Sequence, residues 1–367
     1  MTSVSEFFVK IQPILFDRLE LCLCSPLTTG LKDLSIALNV IQIEKYVSTK
    51  GVGFIGRPAS DRQAVARAFL AKFVLGYTTT EALIDHLRMC SDLRTLCGFP
   101  TLQSVPSSAT FSRIFAVFAR IDLGEIILKA MAAKFAETAK VENISRDSTP
   151  LPAREKPVSG VKPVASDKPK RKRGRPKKGE LVDPPEQKRL EKQLTQTLSE
   201  MLSELPTACD IGSKSNSKGN LQYTIGYKVH IDWACGGIPI SVLTTSASLH
   251  DCQVASPLMQ MTSERISHEY ELMDAAYDSQ IIRAECERLG FQGIIDTNKR
   301  RGPKIQMDEA QAERYKARSV AERGNSQSKD QFGFRNLRVR GHSKVHLHVM
   351  FGILSLFALQ WQRLLTS

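Results

Sequence analysis

A run of positive charge near the middle of the chain sets the strongest limit on how it can fold. Residues 168–178 read Lys-Pro-Lys-Arg-Lys-Arg-Gly-Arg-Pro-Lys-Lys, with eight basic residues and no acidic one. Like-charge repulsion, two prolines and a glycine all oppose a packed structure here. We therefore predict a basic, disordered insert at about residues 150–185, which separates two folded parts of the 367-residue chain.

The first part, residues 1–140, carries helical patterns. From Asp61 onward, the apolar residues Val65, Phe69 and Phe73 recur at every fourth position, and Gly76 can end that helix. Similar patterns follow a capping sequence at residues 106–108 and a further cap at Asp122. We predict an all-helical domain that serves DNA binding or dimerisation, with a helical packing module that binds no ligand as the alternative.

Signals for β-strands begin at about residue 141. Residues 141–145 predict an opening strand that Asp147 closes, and two β-rich runs around the turn Cys235-Gly236-Gly237 predict a hairpin. Further strands alternate with helical stretches, and an apolar helix closes the chain: strands at 270–273 and 291–295, helices at 254–266, 279–289 and 308–330. This order predicts an α/β domain over residues 141–367, a mixed sheet flanked by helices and interrupted by the insert.

Charge and composition narrow the classes of partner. The formal net charge is +13, and eight of those charges lie in the basic run, so an acidic partner such as nucleic acid is expected. The longest apolar run, residues 349–359, is much shorter than the ~20 residues of a membrane-spanning helix, so no membrane partner is predicted. The eight cysteines form no Cys-x-x-Cys pair, which favours a reducing, cytoplasmic setting.

Three carboxylates stand out by position. Asp147 and Asp274 each end a predicted strand, and Glu322 lies on a late helix. Because groups at the carboxyl ends of strands can meet at one edge of a sheet, these acids are candidates for a shared site. Such a site prefers a hard divalent cation, Mg²⁺ or Mn²⁺, and two ions would suit the cleavage of a phosphodiester.

Four functional side chains share one face of the predicted late helix. Tyr315, Arg318, Glu322 and Lys329 are spaced by three, four and seven residues. The glutamate could hold metal while the two cations and the phenol contact phosphate oxygens of DNA. Gly324 is unfavourable in this helix, by about 1 kcal/mol relative to alanine.

The pattern Tyr-x2-Arg-x3-Glu-x6-Lys at residues 315–329 resembles the signature of DDE transposases from bacterial insertion sequences, whose catalytic core is RNase H-like. Residues 144–149 (Ile-Ser-Arg-Asp-Ser-Thr) and 272–278 (Leu-Met-Asp-Ala-Ala-Tyr-Asp) resemble the motifs around the two aspartates of that family. The similarity extends over about residues 60 to 360.

This resemblance implies a catalytic, metal-binding triad of Asp147, Asp274 and Glu322, with Tyr315, Arg318 and Lys329 contacting DNA. It further implies a transposase that binds terminal inverted repeats, cuts and joins DNA with Mg²⁺ or Mn²⁺, acts as a homodimer on DNA, and resides in the bacterial cytoplasm with the nucleoid.

Alternatives stay open at several positions. Arg173 and Arg175 form an AT-hook-like sequence for the minor groove, or else belong to a linker that binds any phosphate backbone. Asp251 and Asp278 are interpreted first as helix caps, although Asp251 could touch the site, and Asp232 is interpreted as a surface or turn residue. For the whole chain, the alternatives are an RNase H-like nuclease without strand transfer and a non-catalytic protein that binds AT-rich DNA.

Overall fold

The computed structural model describes residues 27–48, 60–158, 188–215, 220–298 and 306–366. Residues 159–185 of the predicted basic insert, including Arg173 and Arg175, lie outside these residues. Residues 150–152 belong to a strand, so the predicted start of the insert at about residue 150 is wrong.

The amino-terminal part is helical, as predicted. Asp61 caps the second helix, because its carboxylate accepts hydrogen bonds from the backbone N–H groups of Gln63 and Ala64. Asp122 occupies the predicted cap position before the sixth helix, but its side chain makes no capping hydrogen bond. The helices are α1 (Thr29–Ile41), α2 (Arg62–Val74), α3 (Thr80–Met89), α4 (Ser91–Cys97), α5 (Ser108–Arg120) and α6 (Leu123–Thr138).

A mixed six-stranded sheet forms the second layer. Its strands are β1 (Asn143–Pro152), β2 (Asp210–Ser215), β3 (Leu221–Ala234), β4 (Ile238–Ser246), β5 (Tyr270–Met273) and β6 (Gln292–Ile295). The order β4-β3-β1-β5-β6 is antiparallel across the first three strands and parallel across the last three, and β2 pairs with the first half of β3. This is the predicted α/β fold, and its order agrees with an RNase H-like sheet.

The remaining helices flank this sheet. They are α7 (Arg189–Gln193), α8 (Leu198–Ser203), α9 (Ala255–Ser263), α10 (Gln280–Leu289), α11 (Glu309–Tyr315), α12 (Ser319–Asp330) and α13 (His342–Thr366). The single helix predicted at 308–330 is interrupted, because residues Lys316–Arg318 form a 3₁₀ turn between α11 and α12.

The first strand is longer than predicted. β1 continues to Pro152, so Asp147 lies in its middle and does not close it. Parallel pairing with β5 extends only from Asn143 to Ser145 along β1, while pairing with β3 continues through Pro152. From Arg146 onward one edge of β1 has no strand partner among the described residues, and prolines are tolerated on such an edge.

Helix α13 joins the two layers. Its side chains from Val345 to Ala358 are almost all buried, and it packs against α1, α2, α5 and α6 on one side and β4 on the other. One continuous apolar core therefore contains the amino-terminal helices, α13 and the inner face of β1, β3 and β4. Although α13 is long and apolar enough to cross a membrane, its apolar residues are buried inside the protein, as in a core helix.

Candidate active site

One predicted acid lies within β1, and a second directly follows its parallel neighbour β5. The last registered pair between β1 and β5 is Ser145 with Leu272, so Asp147 and Asp274 follow at the same level, two residues further along. Asp274 caps a short 3₁₀ turn, because its Oδ1 accepts a hydrogen bond from the N–H of Ala276 at 3.0 Å. The end of β5 beside the open edge of β1 thus defines a notch in the sheet.

The surroundings of this notch disfavour the charged forms of its two carboxyl groups. Burial raises the pKa of the Asp147 carboxyl, and the negative charge of Asp274 raises it further. Burial also raises the pKa of Asp274, and the negative charge of Asp251 adds to this increase. The guanidinium of Arg318 opposes both shifts. Two poorly solvated carboxylates that depend on one cation can gain stability from a further positive charge.

Glu322 lies apart from this pair. Its Oε1 accepts a hydrogen bond from Nη2 of Arg318 at 2.8 Å, and its side chain is 61% exposed. Arg318 is thus the group that links all three predicted acids: it is hydrogen-bonded to Glu322 and acts electrostatically on Asp147 and Asp274. Its Nη1 is buried and has no partner among the described residues.

The other two predicted side chains lie around the same notch. Tyr315 donates a hydrogen bond from its hydroxyl to the carbonyl oxygen of Met273 at 3.1 Å, which anchors α11 to the end of β5. Burial raises the pKa of Tyr315 to about 12. Burial lowers the pKa of Lys329, and the negative charge of Asp147 opposes that shift, which places the lysine near the first aspartate.

Asn325 is a residue that the sequence interpretation missed. Its Nδ2 donates a hydrogen bond to Oδ2 of Asp147 at 2.9 Å, and the residue is only 4% exposed. The Oδ1 of the same amide is buried and has no hydrogen-bond partner in the described part of the chain. Because Asn325 lies three positions beyond Glu322, helical spacing could have placed it near the site.

Gly324 is explained by packing. An added Cβ would lie 2.7 Å from ring atoms of Trp233, so only glycine lets α12 approach β3 this closely. The helix stays continuous through Gly324. This glycine is unfavourable for helix formation, but it allows α12 to pack closely against the sheet.

A buried ionic cluster lies directly next to Asp147 in the chain. Arg146 is fully buried and donates hydrogen bonds to both oxygens of Asp232, at 2.8 and 2.7 Å, and its Nη1 is 3.1 Å from Oε2 of Glu271. Thr262 also donates to Asp232, at 2.7 Å. The prediction that Asp232 is a surface residue is wrong. The cluster ties β1, β3 and β5 together beneath the notch.

Asp251 and Asp278 are not helix caps, which corrects both interpretations. Asp251 Oδ1 accepts a hydrogen bond from Lys228 at 2.8 Å, and its Oδ2 accepts one from the hydroxyl of Ser148 at 2.9 Å. Despite burial, the charges of His230 and Lys228 lower the pKa of Asp251. Asp278 instead binds Arg283 and the backbone N–H of Asn298.

The donor groups in the notch suit a hard cation. Among the described residues, no three His, Cys, Asp or Glu side chains lie close enough to form a metal-binding group. Two half-buried carboxylates of raised pKa and an amide oxygen that has no partner among the described residues are nevertheless the oxygen ligands that Mg²⁺ and Mn²⁺ take. Glu322 can join this set only by leaving Arg318.

Comparison with protein families agrees with this geometry. Residues 146–358, more than half of the chain, match the family described as the transposase DDE domain. Residues 35–116 match a second family, a transposase domain known as DUF772. The chain therefore belongs to the DDE transposases. No curated protein and no solved structure matches it.

Proposed function

We propose that this protein is the transposase of a bacterial insertion sequence, which binds the terminal inverted repeats of its own element, cuts a phosphodiester at each end and joins the freed 3′-hydroxyl to target DNA. The observation that carries the proposal is the notch where Asp147 and Asp274 lie side by side, with Arg318 and Asn325 turned towards them. Membership of the DDE family supports the same reaction class.

Asp147 and Asp274 are the proposed metal ligands, with Glu322 as the third. When bound, two Mg²⁺ or Mn²⁺ ions would activate a water molecule and stabilise the leaving oxygen. Asn325 keeps Asp147 in one orientation through its hydrogen bond. Glu322 is at present held by Arg318, so the proposed role requires the two side chains to separate.

Arg318, Lys329 and Tyr315 are proposed to contact the DNA around the cleaved bond. A guanidinium freed from Glu322 presents parallel N–H donors that match phosphate oxygens, and Lys329 adds a second positive charge. Arg173 and Arg175 are proposed to contact the minor groove from the basic insert. The active form is proposed to be a homodimer on DNA, in the bacterial cytoplasm with the nucleoid.

The test uses the full chain with a linear DNA that carries one element end, a circular target DNA and Mg²⁺. Asp147→Asn, Asp274→Asn and Glu322→Gln are expected to abolish both cleavage and joining while DNA binding is retained. Glu264→Gln is the matched control, because Glu264 is an exposed surface acid that pairs with Lys129 and contacts none of the notch residues, and it should keep full activity.

The same experiment separates the alternatives. Cleaved ends without joined products would identify a nuclease. Element-end binding with no cleavage by the unmodified protein in Mg²⁺ or Mn²⁺ would identify a DNA-binding protein without catalytic activity. Full activity of Glu322→Gln would remove Glu322 from the triad.

A further inference from the structure

A cavity of about 500 Å³ lies where the amino-terminal helices meet the segment that leads into α13. We call it the basic groove, and none of the proposed catalytic acids lines it. Its walls are the end of α2, the beginnings of α3 and α5, and residues 338–344. The lining residues used below are Lys72, Thr80, Ser108, Arg338, Arg340 and Lys344.

Positive charge dominates the groove. Arg338, Arg340 and Lys344 are exposed along one wall, and Lys72 lies in the opposite wall. Among the described lining residues Glu81 is the one acid, and no ion pair joins it to any of these cations. Burial lowers the pKa of His348, which also lines the groove, to about 4, so this histidine is neutral at physiological pH. The lining therefore carries a net positive charge.

Lys72 is the most informative of these residues. Only 7% of it is exposed, and its Nζ lies 5.6 Å from the centre of the Phe73 ring. No acceptor in the described parts of the chain forms a hydrogen bond with its ammonium group. Lysine is rarely buried without a partner, because removing its charge from water is costly. The stem of Lys72 is buried while its ammonium group opens onto the positive cavity, where it is available to an anionic ligand.

Two helix beginnings add to the attraction for an anion. Helices α3 and α5 both start at the groove, so the positive ends of their dipoles face it. Ser107, at the cap position of α5, makes no capping hydrogen bond, which leaves first-turn N–H groups free of a side-chain cap. The hydroxyls of Thr80 and Ser108 line the same space and can donate to phosphate oxygens.

We propose that the basic groove binds the sugar–phosphate backbone of double-stranded DNA, at a position separate from the cleavage notch. The inference rests on the proposed function, since it assigns a second contact with the same DNA. Cations and hydroxyls without a planar, base-reading arrangement contact phosphates and not base edges, so the groove anchors the duplex without reading its sequence. Its size admits one stretch of backbone and not a whole duplex.

The test measures the salt dependence of DNA binding by the full chain. A duplex with an element end and a duplex of unrelated sequence are titrated between 50 and 300 mM KCl, with fluorescence anisotropy as the readout. Each lost phosphate contact should reduce the slope of log Kd against log salt by about 0.9. For Lys72→Met we expect the slope to fall by the equivalent of about one phosphate contact. For Arg338→Gln combined with Lys344→Gln we expect a fall equivalent to about two contacts. Both reductions should be the same on the two duplexes.

Matched controls remove the same charge elsewhere. Lys129→Gln is the control for Lys72→Met, and Lys129→Gln/Lys140→Gln is the control for Arg338→Gln/Lys344→Gln. Both control lysines are exposed and paired with surface acids. Lys72→Arg should keep the wild-type slope. The double variant alters exposed residues only, so it tests the groove even if Lys72→Met fails to fold.

Slopes of the groove variants that equal those of their controls would overturn the proposal. So would inorganic phosphate binding, measured at constant ionic strength, that is lost in Lys72→Met while its DNA slope is unchanged, because the groove would then hold free phosphate. If the slopes fall but the unmodified protein does not cleave DNA, the proposed DNA binding by the groove stands and the proposed transposase function is refuted. If cleavage is normal but the slopes are unchanged, the transposase function stands and DNA binding by the groove is refuted.

Discussion

At the scale of single residues, Arg318 is the side chain on which the candidate site depends. It is hydrogen-bonded to the exposed Glu322 and also compensates the charges of the half-buried Asp147 and Asp274. Under the proposed function, this arrangement corresponds to the site before metal and DNA bind: one internal cation balances two acids, and the third acid is held outside. Binding of a divalent cation would relieve the same charge imbalance.

Asn325 offers a test in which two variants have opposite effects. In Asn325→Leu, Asp147 loses its hydrogen bond and an oxygen donor disappears, so the rise in Tm on adding Mn²⁺ should shrink. In Asn325→Asp, a third carboxylate enters the notch, so Tm without metal should fall and the Mn²⁺-induced rise should grow. Differential scanning fluorimetry measures both, and equal Mn²⁺ responses in the two variants would show that Asn325 does not face the ion.

Lys72 gives a prediction with a defined pH dependence. Burial lowers its pKa from 10.5 to about 8, with Arg338 contributing and Glu81 opposing, while the facing His348 is neutral. The folded protein therefore binds this proton more weakly than the unfolded chain does. The penalty for a charged Lys72 is full below pH 8 and is relieved as the pH rises towards 10.5.

Lys72→Met should therefore stabilise the protein at pH 7, by about 3 kcal/mol from the size of the pKa shift, and the gain should diminish by pH 10. Urea unfolding at the two pH values measures it. Loss of stability at pH 7 would mean that the ammonium has a favourable partner in the folded state.

At the scale of elements, the contact between α12 and β3 positions the site. Gly324→Ala improves helix propensity by about 1 kcal/mol but should lower the stability overall, by about 1–3 kcal/mol, because the new methyl group meets the ring of Trp233. Ser326→Ala, at an exposed position of the same helix, is the control and should be neutral or slightly stabilising. If Gly324→Ala is as stable as the control, the helix has room to shift.

The ionic cluster that joins β1, β3 and β5 is a second element-scale prediction. Arg146→Met leaves Asp232 and Glu271 buried without their cation and should cost about 3–5 kcal/mol of unfolding free energy. Arg283→Met, which breaks a partly exposed pair with Asp278, should cost less than about 1 kcal/mol. Similar urea midpoints for both variants would contradict the structural role of the cluster.

Elements with strong local signals were predictable from the sequence. The cap at Asp61, the turn at Cys235-Gly236-Gly237 and the short strand before Asp274 all appear in the structure. Strand β2 was missed, because the segment Asp-Ile-Gly-Ser-Lys-Ser lacks β-branched and aromatic residues apart from Ile211 and pairs only with β3.

The prolines of β1 likewise hid its length, since their tolerance depends on β5 ending early. Within the site, the spacing of residues along α12 and the positions of strand ends predicted the residues around the notch. The identity of one aspartate, however, does not show whether that side chain is buried. Asp232 and Asp251 were therefore misjudged: both are held by cations contributed from distant positions in the chain.

At the scale of the whole molecule, one core spans both layers. A boundary near residue 140 coincides with the change from helices to strands, and its standing as a domain boundary stays a prediction. Because α13 packs against the amino-terminal helices and β4 together, we expect the two layers to unfold in a single cooperative transition.

The two tryptophans make this testable. Trp233 lies between β3 and α12, and Trp361 lies on α13, with its ring 6.1 Å from that of Phe135 on α6. Trp361→Phe and Trp233→Phe leave one reporter for each layer. In both variants the fluorescence and circular dichroism midpoints in urea should coincide. Separate midpoints, with the Trp361 signal changing first, would show that the helical part unfolds independently.

The position of α13 in the chain has a consequence for biosynthesis. The helix that completes the apolar interior follows every other described element in the chain, so apolar faces of both layers stay uncovered in the growing polypeptide until this helix has been made. A product that stops before His342 would lack the helix that packs between these layers. Because its apolar faces would stay exposed, we expect chaperones or proteases to bind it. We therefore expect loss of this one helix to prevent both layers from folding.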